Sequence, residues 1–422
     1  MIKLILSTLF SLCITLQVLA HESHSFEDRN STTVKIKSVR GILGAFSPIE
    51  HMSGQLRTGY ITNYQDDTSI RTSAYALGGH LHFYTKRWYG WQVGLSAYTV
   101  LNLGIQQNPS HINSDFFDNN GKSFPLLTEA YIDGKWGNTE LKIGRQILNT
   151  PHINTDDIRM IPNYYEAYTF TYKELKDITF STGYIREMAG WENGIDSSKF
   201  VNIGKTLGTD AIDGIFYAST SYDGIKDLTL SAWYYHYADI ANLIYLEVAY
   251  ESHIIEDLDI TFGLQYDASH QTGVALLQEQ NARTFGASVE FVAEEIGIHI
   301  LTAYNKDTGS TGASSLNLGG GTLFTSMEDQ TLDAMGQAGE SWVIGLGYHF
   351  EAVDLDGLHI GLAYGTFKAD NASLYQAREL DTILKYDFQK SFSVVLAYAN
   401  VDFQTIGMRD YSQLRVITNY NF

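Results

Sequence analysis

The chain finishes with residues 414–422, Leu-Arg-Val-Ile-Thr-Asn-Tyr-Asn-Phe, in which aliphatic or aromatic residues alternate with mostly polar ones. Successive side chains of a β-strand point to opposite faces, so this segment predicts a strand with one apolar face and one polar face. A soluble β-sandwich also contains such strands. A transmembrane barrel is built from them throughout, because only a closed sheet pairs all of its backbone polar groups within lipid without helices.

Residues 1–20 have the composition of a secretory signal peptide. Lys3 precedes a largely apolar run, and Ala20 supplies a small residue for cleavage before His21. The only cysteine, Cys13, lies within this segment, so the mature chain is expected to contain neither disulfides nor reactive thiols. Removing the segment takes one lysine and no acid from a net charge of −20, which leaves −21.

Charge and composition restrict the classes of function. Nucleic-acid binding leaves a basic patch as its footprint, so we expect no nucleic-acid partner for this acidic chain. The chain carries 28 Tyr, 21 Phe and 37 Gly but only 5 Pro. This balance fits aromatic girdles at two membrane interfaces and tight turns between strands. After the signal peptide, no stretch approaches the roughly 18 apolar residues that a membrane helix needs.

Eighteen segments have the alternation expected of strands, and they predict an all-β, antiparallel transmembrane barrel over residues 53–422. Most run about 10 to 14 residues, close to the length of a tilted spanning strand. Residues 21–52 form no clear element and are interpreted as a periplasmic or lumenal segment. The predicted strands begin near Ser53, Arg71, Trp88, Leu126, Asn138, Tyr164, Lys176, Ala211, Lys226, Ile240, Leu258, Arg283, Ile296, Ser341, Gly357, Ala377, Ser391 and Tyr411.

The connections between the predicted strands alternate in length. Links from even to odd strands are short, such as Lys86-Arg87 and Glu174-Leu175. Links from odd to even strands include long ones, at 105–125, 149–163, 188–210, 271–282 and 307–340. Short periplasmic turns and long external loops are typical of outer-membrane barrels and place both termini in the periplasm. A soluble β-solenoid or sandwich, the alternative class, gives no reason for this alternation.

The face opposite the aliphatic and aromatic residues is expected to line a channel. On the first strand this face carries Arg57, and on the last strand it carries Arg415 and, by parity, Arg409. The first and last strands pair when a barrel closes, so these three arginines should share one wall. Lys385, two strands away, has the same inward parity.

Other charges also have inward parity. Lys135 and Lys142 are basic, but the larger set is acidic and comprises Glu247, Asp259, Asp267, Glu290, Glu379 and Asp381. An acidic lumen favours cations, whereas a local arginine wall gives carboxylates a path. Mutual neutralisation of these charges across the lumen is the alternative interpretation.

Residues for other chemistry are few. His21, Glu22 and His24 could contact a metal, but two histidines in an N-terminal tail make a poor site, so we expect no metal and no other cofactor. A barrel enzyme, such as a protease or phospholipase, needs a nucleophile, a base and an orienting residue, and no such combination stands out. An active transporter needs a plug domain, and only residues 21–52 precede the first predicted strand.

One segment is specific enough to indicate a family. It has Gly-Arg-Gln at 144–146, Thr-Pro at 150–151 and Asp-Ile-Arg-Met-Ile-Pro at 157–162, followed by a strand that opens with an aromatic residue. This segment resembles the third-loop region of the OprD-type outer-membrane porins. The likeness extends over essentially the whole mature chain and is greatest for the epsilonproteobacterial members.

The resemblance implies a porin in the outer membrane of a Gram-negative bacterium. Such a porin lets small hydrophilic solutes diffuse passively, either generally or with mild selectivity for amino acids or small carboxylates. Its other expected partners are outer-membrane lipid and lipopolysaccharide, and it is expected as a monomer or a loose homotrimer. We therefore expect a channel and not an enzyme.

The resemblance also assigns residues. The third loop, 149–163, is expected to enter the lumen as a constriction, with Asp156, Asp157 and Arg159 as its site residues. The family has a ladder of basic residues down one wall that guides carboxylates. The positions in this chain that match the ladder by place and parity are Arg57, Arg409 and Arg415, and Lys385 joins them by parity.

Overall fold

The computed structural model describes residues 49–65, 70–105, 111–118, 121–255, 258–388 and 391–422. The predicted signal peptide, most of the 21–52 segment and the residues weighed as metal ligands, His21, Glu22 and His24, lie outside this part of the chain.

Within the described residues, nineteen strands follow one another along the chain. Their bounds are β1 Ile49–Gln65, β2 Ile70–Thr85, β3 Trp91–Asn102, β4 Phe124–Trp136, β5 Thr139–Gln146, β6 Tyr164–Tyr172, β7 Ile178–Ala189, β8 Val201–Asn202, β9 Ile215–Ile225, β10 Leu228–Tyr237, β11 Ala241–Ile255, β12 Leu258–Gln271, β13 Asn281–Ala293, β14 Ile298–Asp307, β15 Gly339–His349, β16 Leu358–Ala369, β17 Gln376–Phe388, β18 Phe392–Phe403 and β19 Tyr411–Asn421.

The strands close into a single antiparallel barrel. Each long strand pairs with its neighbours in the chain, and β1 pairs with both β2 and β19. The two-residue β8 forms only a short pairing with β7, whose main partner on that side is β9. Eighteen strands therefore form the wall, as the sequence predicts. The predicted and observed starts differ by four residues at most, at Ser53 against Ile49 and at Ala211 against Ile215.

Alternation along each strand decides which side chains face outwards. On β15, Trp342, Ile344 and Leu346 are exposed, whereas the intervening Val343 is buried on the inside. The outer surface is therefore a continuous apolar face of the kind that lipid solvates. In the described part of the chain, no helix has the length and apolar character needed to cross a membrane.

The interior of the barrel contains apolar side chains from the wall and from loops. One buried cluster includes Met160, Phe116 and Tyr98. A second cluster includes Ile153 and Tyr235. Met160 and Ile153 both belong to the connection between β5 and β6, which therefore contributes to both clusters. The hydrophobic core thus lies inside the barrel, between the wall and segments that fold inward.

Connection lengths follow the predicted alternation, with one detail corrected. The turns on the side of the termini are short, and the connections on the other side include 147–163, 190–214 and 308–338. The strand expected to begin near Leu126 begins two residues earlier, so Pro125 is the second residue of β4. The first positions of a strand tolerate proline because little pairing is lost there.

Candidate functional site

The connection between β5 and β6, residues 147–163, folds into the barrel and crosses its lumen. At one end, Nε2 of His152 lies 2.8 Å from Oδ1 of Asp267 on β12. At the other end, Met160 packs against β1 so closely that a Cβ on Gly59 would lie 2.5 Å from its Sδ. Both His152 and Met160 are fully buried. Since β12 and β1 lie on opposite sides of the barrel, the loop spans the channel.

Arg57 holds this loop against β1. Its Nη1 and Nη2 donate to the two carboxylate oxygens of Asp157 at 2.5 and 2.9 Å. Nη1 also donates to the carbonyl oxygen of Arg159 at 2.8 Å, and Nε donates to Asn419 on β19 at 2.7 Å. Only 2% of Arg57 is exposed. Arg57 thus faces inward, as its parity predicts. Its guanidinium is bound by the carboxylate of Asp157, which the sequence did not indicate.

Arg415 lies on the strand next to that of Arg57, as predicted, but at a different position along the strand direction. Arg57 is opposite Asn419 and Arg415 is opposite Ile61, so four residues, or about 13 Å of strand, separate the two arginines. Nη2 of Arg415 donates to Oε2 of Glu328 at 2.7 Å. Each of the two arginines therefore binds a carboxylate from a different loop.

The loop that carries Glu328, residues 308–338, also folds into the lumen. Its Leu323, Phe324 and Leu332 are buried. It also contacts the first inward loop, since the hydroxyl of Thr322 donates to the carbonyl of Pro151 at 2.9 Å. The loop expected at 307–340 is thus present on the external side, as predicted, but it folds inward instead of extending away from the barrel. A signal was present in the sequence, because residues 308–327 contain no charged residue.

Two acids of β17 bind the backbone of this second loop. The amides of Asp329 and Gln330 donate to the two oxygens of Glu379 at 2.9 and 2.7 Å. The amide of Glu328 donates to Asp381 at 3.1 Å. Both acids were predicted to face inward, and both are buried there. Their role in the structure is to fix a loop, which parity alone does not reveal.

Arg159 differs from the other two arginines in its bonding. Only 4% of it is exposed, and its Nε is 3.9 Å from Oδ2 of Asp115. Its Cζ lies 4.8 Å from the centroid of the Trp191 ring. Among the described residues, no acceptor makes a hydrogen bond with its Nε or Nη1. Burial and the nearby charge of Arg415 lower the pKa of Arg159, but a guanidinium stays protonated at any accessible pH.

Carboxyl groups surround this guanidinium. Burial raises the pKa of Asp156 well above its ordinary value, and the neighbouring charge of Glu192 raises it further. Burial also raises the pKa of Glu192, which accepts a hydrogen bond from the amide of Gly320 at 3.1 Å. Asp156 has a φ of 37°, and its carbonyl accepts from the indole of Trp191 at 2.9 Å. Loops 147–163, 190–214 and 308–338 therefore meet at one point.

The remaining predicted basic residues lie elsewhere. Lys385 has the predicted inward parity, with its Nζ 2.7 Å from Oδ2 of Asp387. Lys142 is also inward, over the Tyr131 ring at 4.0 Å. Arg409 was expected on the same wall as Arg57 and Arg415, and this prediction is wrong. Arg409 is exposed in the connection 404–410, before β19 begins. Strand parity does not extend into a loop.

The other predicted inward acids are mostly paired. His299 lies 2.6 Å from Glu290, and Tyr245 donates to Glu247. Asp259 is exposed and bonds to His253. Among the residues that the structure describes, no three His, Cys, Asp or Glu side chains are arranged to hold a metal ion.

A closed eighteen-stranded barrel with loops folded into its lumen defines an outer-membrane channel. The family model of the OprD-family outer membrane porins matches residues 51–422. The chain belongs to this family. It is a porin of the Gram-negative outer membrane, through which small hydrophilic solutes diffuse passively. No curated protein matches the chain significantly.

Solved structures share the fold at low sequence identity. Acinetobacter baumannii OccAB2 matches with a TM-score of 0.77 at 18% identity, covering 89% of this chain and 99% of that one. A BenF-like porin from Pseudomonas fluorescens Pf-5 matches with a TM-score of 0.75 at 16% identity, covering 88% and 98%. Pseudomonas aeruginosa OpdK, solved with vanillate, matches with a TM-score of 0.72 at 17% identity, also covering 88% and 98%.

Proposed function

We propose that this porin selects small solutes that carry a carboxylate, and that Arg159 is the residue that binds them in the constriction. The observation that supports the proposal is the bonding of Arg159. It is buried where three loops meet, yet two of its donor atoms have no hydrogen-bond acceptor among the described residues.

A buried charged donor without an acceptor is unfavourable by about 1–3 kcal/mol or more. A carboxylate offers two oxygens that match one edge of the planar guanidinium, so a solute that reaches Arg159 would supply an acceptor that the described residues do not. Trp191, at 4.8 Å, adds an aromatic surface beside the charge. Fixed charge at the narrowest part of a pore is an established means of selectivity.

Arg57 and Arg415 have a supporting role in this proposal. Their guanidinium groups already bind Asp157 and Glu328, so they hold the constricting loops in place. Their charges are largely neutralised at short range. The acids around Arg159 would weaken binding enough for release, which a conducting channel requires.

Conductance in planar bilayers tests the proposal. The wild-type porin should pass small carboxylates such as acetate and glutamate more readily than sulfonates of the same size and charge. Arg159→Gln should reduce the carboxylate flux several-fold and shift the reversal potential towards cation selectivity. Arg378→Gln is the matched control, because Arg378 is half-exposed on the outer face beside Asp402. Equal carboxylate flux in wild type and Arg159→Gln would refute the assignment.

One chain is proposed to form a complete channel without a catalytic step. The ring of strands closes within a single chain, since β1 pairs with β19. Each chain would conduct independently if several associate. Single-channel recordings should show one conductance level for a monomer, or three equal and independent steps for a trimer.

A further inference from the structure

The outer surface of the barrel carries a cleft at the periplasmic rim that the channel does not use. It has a volume of about 400 Å³ and is lined by Thr85, Lys86, Trp88, Trp91, Gln92 and Val93. It lies at the turn between β2 and β3, on the same side of the membrane as the C-terminal residue Phe422 and the short turns. Its aromatic wall includes Trp88, which is 72% exposed.

The turn that forms this cleft is a tight β-hairpin turn. Trp88 and Trp91 exchange both backbone hydrogen bonds, at 2.7 and 2.9 Å. The two residues between them, Tyr89 and Gly90, have φ values of 49° and 88°, as in the tight hairpin turns that match strand twist. Gly90 is required for a second reason, because a Cβ there would lie 2.3 Å from the indole nitrogen of Trp136.

Hydrogen bonds from the strands fix the base of the cleft. The side-chain amide of Gln92 donates to the carbonyl of Thr85 at 2.9 Å, and the amide of Val93 donates to the Thr85 hydroxyl at 3.1 Å. Trp91 packs edge-on against Trp136, with ring centroids 4.9 Å apart. The Trp91 side of the cleft is therefore held in place without a ligand, which lowers the entropic cost of binding one.

Lys86 places a positive charge at the mouth of this cleft. It is exposed, and no described carboxylate forms an ion pair with it. The adjacent Arg87 is different, since it binds Asp133 inside the rim. Lysines in two other short turns are also paired with an acid, Lys176 with Asp177 at 3.7 Å and Lys226 with Asp227 at 3.6 Å.

We propose that this cleft binds a phospholipid with an anionic headgroup from the inner leaflet of the outer membrane. The phosphate would meet the ammonium group of Lys86, and an acyl chain would lie against Trp91 and Val93. Three observations favour this occupant: the cleft is on the lipid-facing surface, it is at the periplasmic side, and its charge is positive on an otherwise acidic protein. Tryptophan is favoured at the membrane interface, where the polar headgroup of a lipid meets its apolar acyl chains.

Native mass spectrometry of the delipidated porin, titrated with phosphatidylglycerol or phosphatidylethanolamine, tests this site. Wild type should retain phosphatidylglycerol in preference to phosphatidylethanolamine. Lys86→Gln should weaken phosphatidylglycerol binding about fivefold, which corresponds to the roughly 1 kcal/mol that one basic residue contributes near anionic lipid. Lys176→Gln is the matched control, because Lys176 occupies a periplasmic turn but already pairs with an acid. It should bind like wild type.

Tryptophan fluorescence in vesicles gives a second readout that does not depend on the gas phase. Brominated phosphatidylglycerol should quench wild type more than brominated phosphatidylethanolamine at equal mole fraction, and Lys86→Gln should lose most of this difference. Equal binding of the two lipids, an unchanged Lys86→Gln variant, or preferential retention of lipopolysaccharide at the cleft would each overturn the proposal. Unaltered conductance of Lys86→Gln would show that the variant is folded.

Discussion

The carboxylate of Asp157, in a loop, accepts two hydrogen bonds from the guanidinium of Arg57 on the barrel wall, at 2.5 and 2.9 Å. One hundred residues separate the two partners along the chain. This bidentate pair fixes loop 147–163 to β1, and His152 fixes the same loop to Asp267 on β12. The loop is therefore held at both sides of the lumen, and its two attachments can be removed separately.

Asp157→Asn should loosen the attachment to β1. The guanidinium of Arg57 would keep Asn419 and the carbonyl of Arg159 as acceptors but would lose its ionic partner. Loss of such a partner by a buried donor costs about 1–3 kcal/mol. We expect a higher single-channel conductance with more current noise. Asp402→Asn, which removes an exposed ion pair on the outer face, should leave both unchanged; an equal effect of both changes would contradict the role of Asp157.

His152→Ala should release the other attachment of the loop. It leaves a cavity and removes the partner of Asp267, which is itself buried. Conductance should rise again, and the variant that combines His152→Ala with Asp157→Asn should conduct more than either single variant. Effects at well-separated sites usually add. If the double variant conducts like wild type while remaining folded by circular dichroism, the constriction is not formed by this loop.

Gly59→Ala should displace the loop by steric contact. Its new Cβ would lie 2.5 Å from Sδ of Met160 and 2.8 Å from the ring of Phe116. Overpacking of this kind typically costs about 1–3 kcal/mol. We expect a lower thermal stability and an altered conductance. Met160→Ala removes the closer of these two contacts, so the double variant should be more stable than the sum of the two single changes predicts; strictly additive losses would show that the loop does not pack against β1.

Acid should change the charge of the constriction near pH 6. Burial raises the pKa of Asp329 to about 6, against the neighbouring charge of Arg159, which lowers it. As the pH falls from 8 to 5, Asp329 gains a proton and the lumen loses a negative charge. Cation selectivity, measured from reversal potentials, should therefore decrease over this interval. Asp329→Asn should show the lower selectivity already at pH 8 and a weaker response to pH.

The same protonation affects how firmly loop 308–338 is docked. A carboxyl whose folded pKa is raised binds a proton more tightly in the docked state than in the released state. Docking should therefore strengthen as the pH falls through about 6 and weaken as the pH rises. Proteolysis within 308–338 should be slower at pH 5.5 than at pH 8 in wild type. With Asp329→Asn, the two rates, corrected for protease activity on a denatured substrate, should be closer together.

The sequence determined the wall of this barrel. Alternation with a period of two fixes which side chains face lipid and which face the lumen, so the strands, their order and the inward orientation of Arg57, Arg415 and Lys385 follow from local pattern. The motif at 157–162 and the uncharged run at 308–327 mark segments that differ from ordinary external loops. Only the first of these was interpreted as inward, because an uncharged run does not by itself specify a docking surface.

The tertiary structure decided what the lumenal side chains do. Parity places Glu379 and Arg415 inside the barrel. Only the folded loops show that Glu379 binds backbone amides and that Arg415 binds Glu328. It also moves Arg409 out of the wall, because β19 begins two residues later, at Tyr411. Side chains on a strand are oriented by the adjacent backbone, whereas contacts between a loop and the wall join residues far apart in sequence. Those contacts depend on the closure of the barrel, and no local period encodes them.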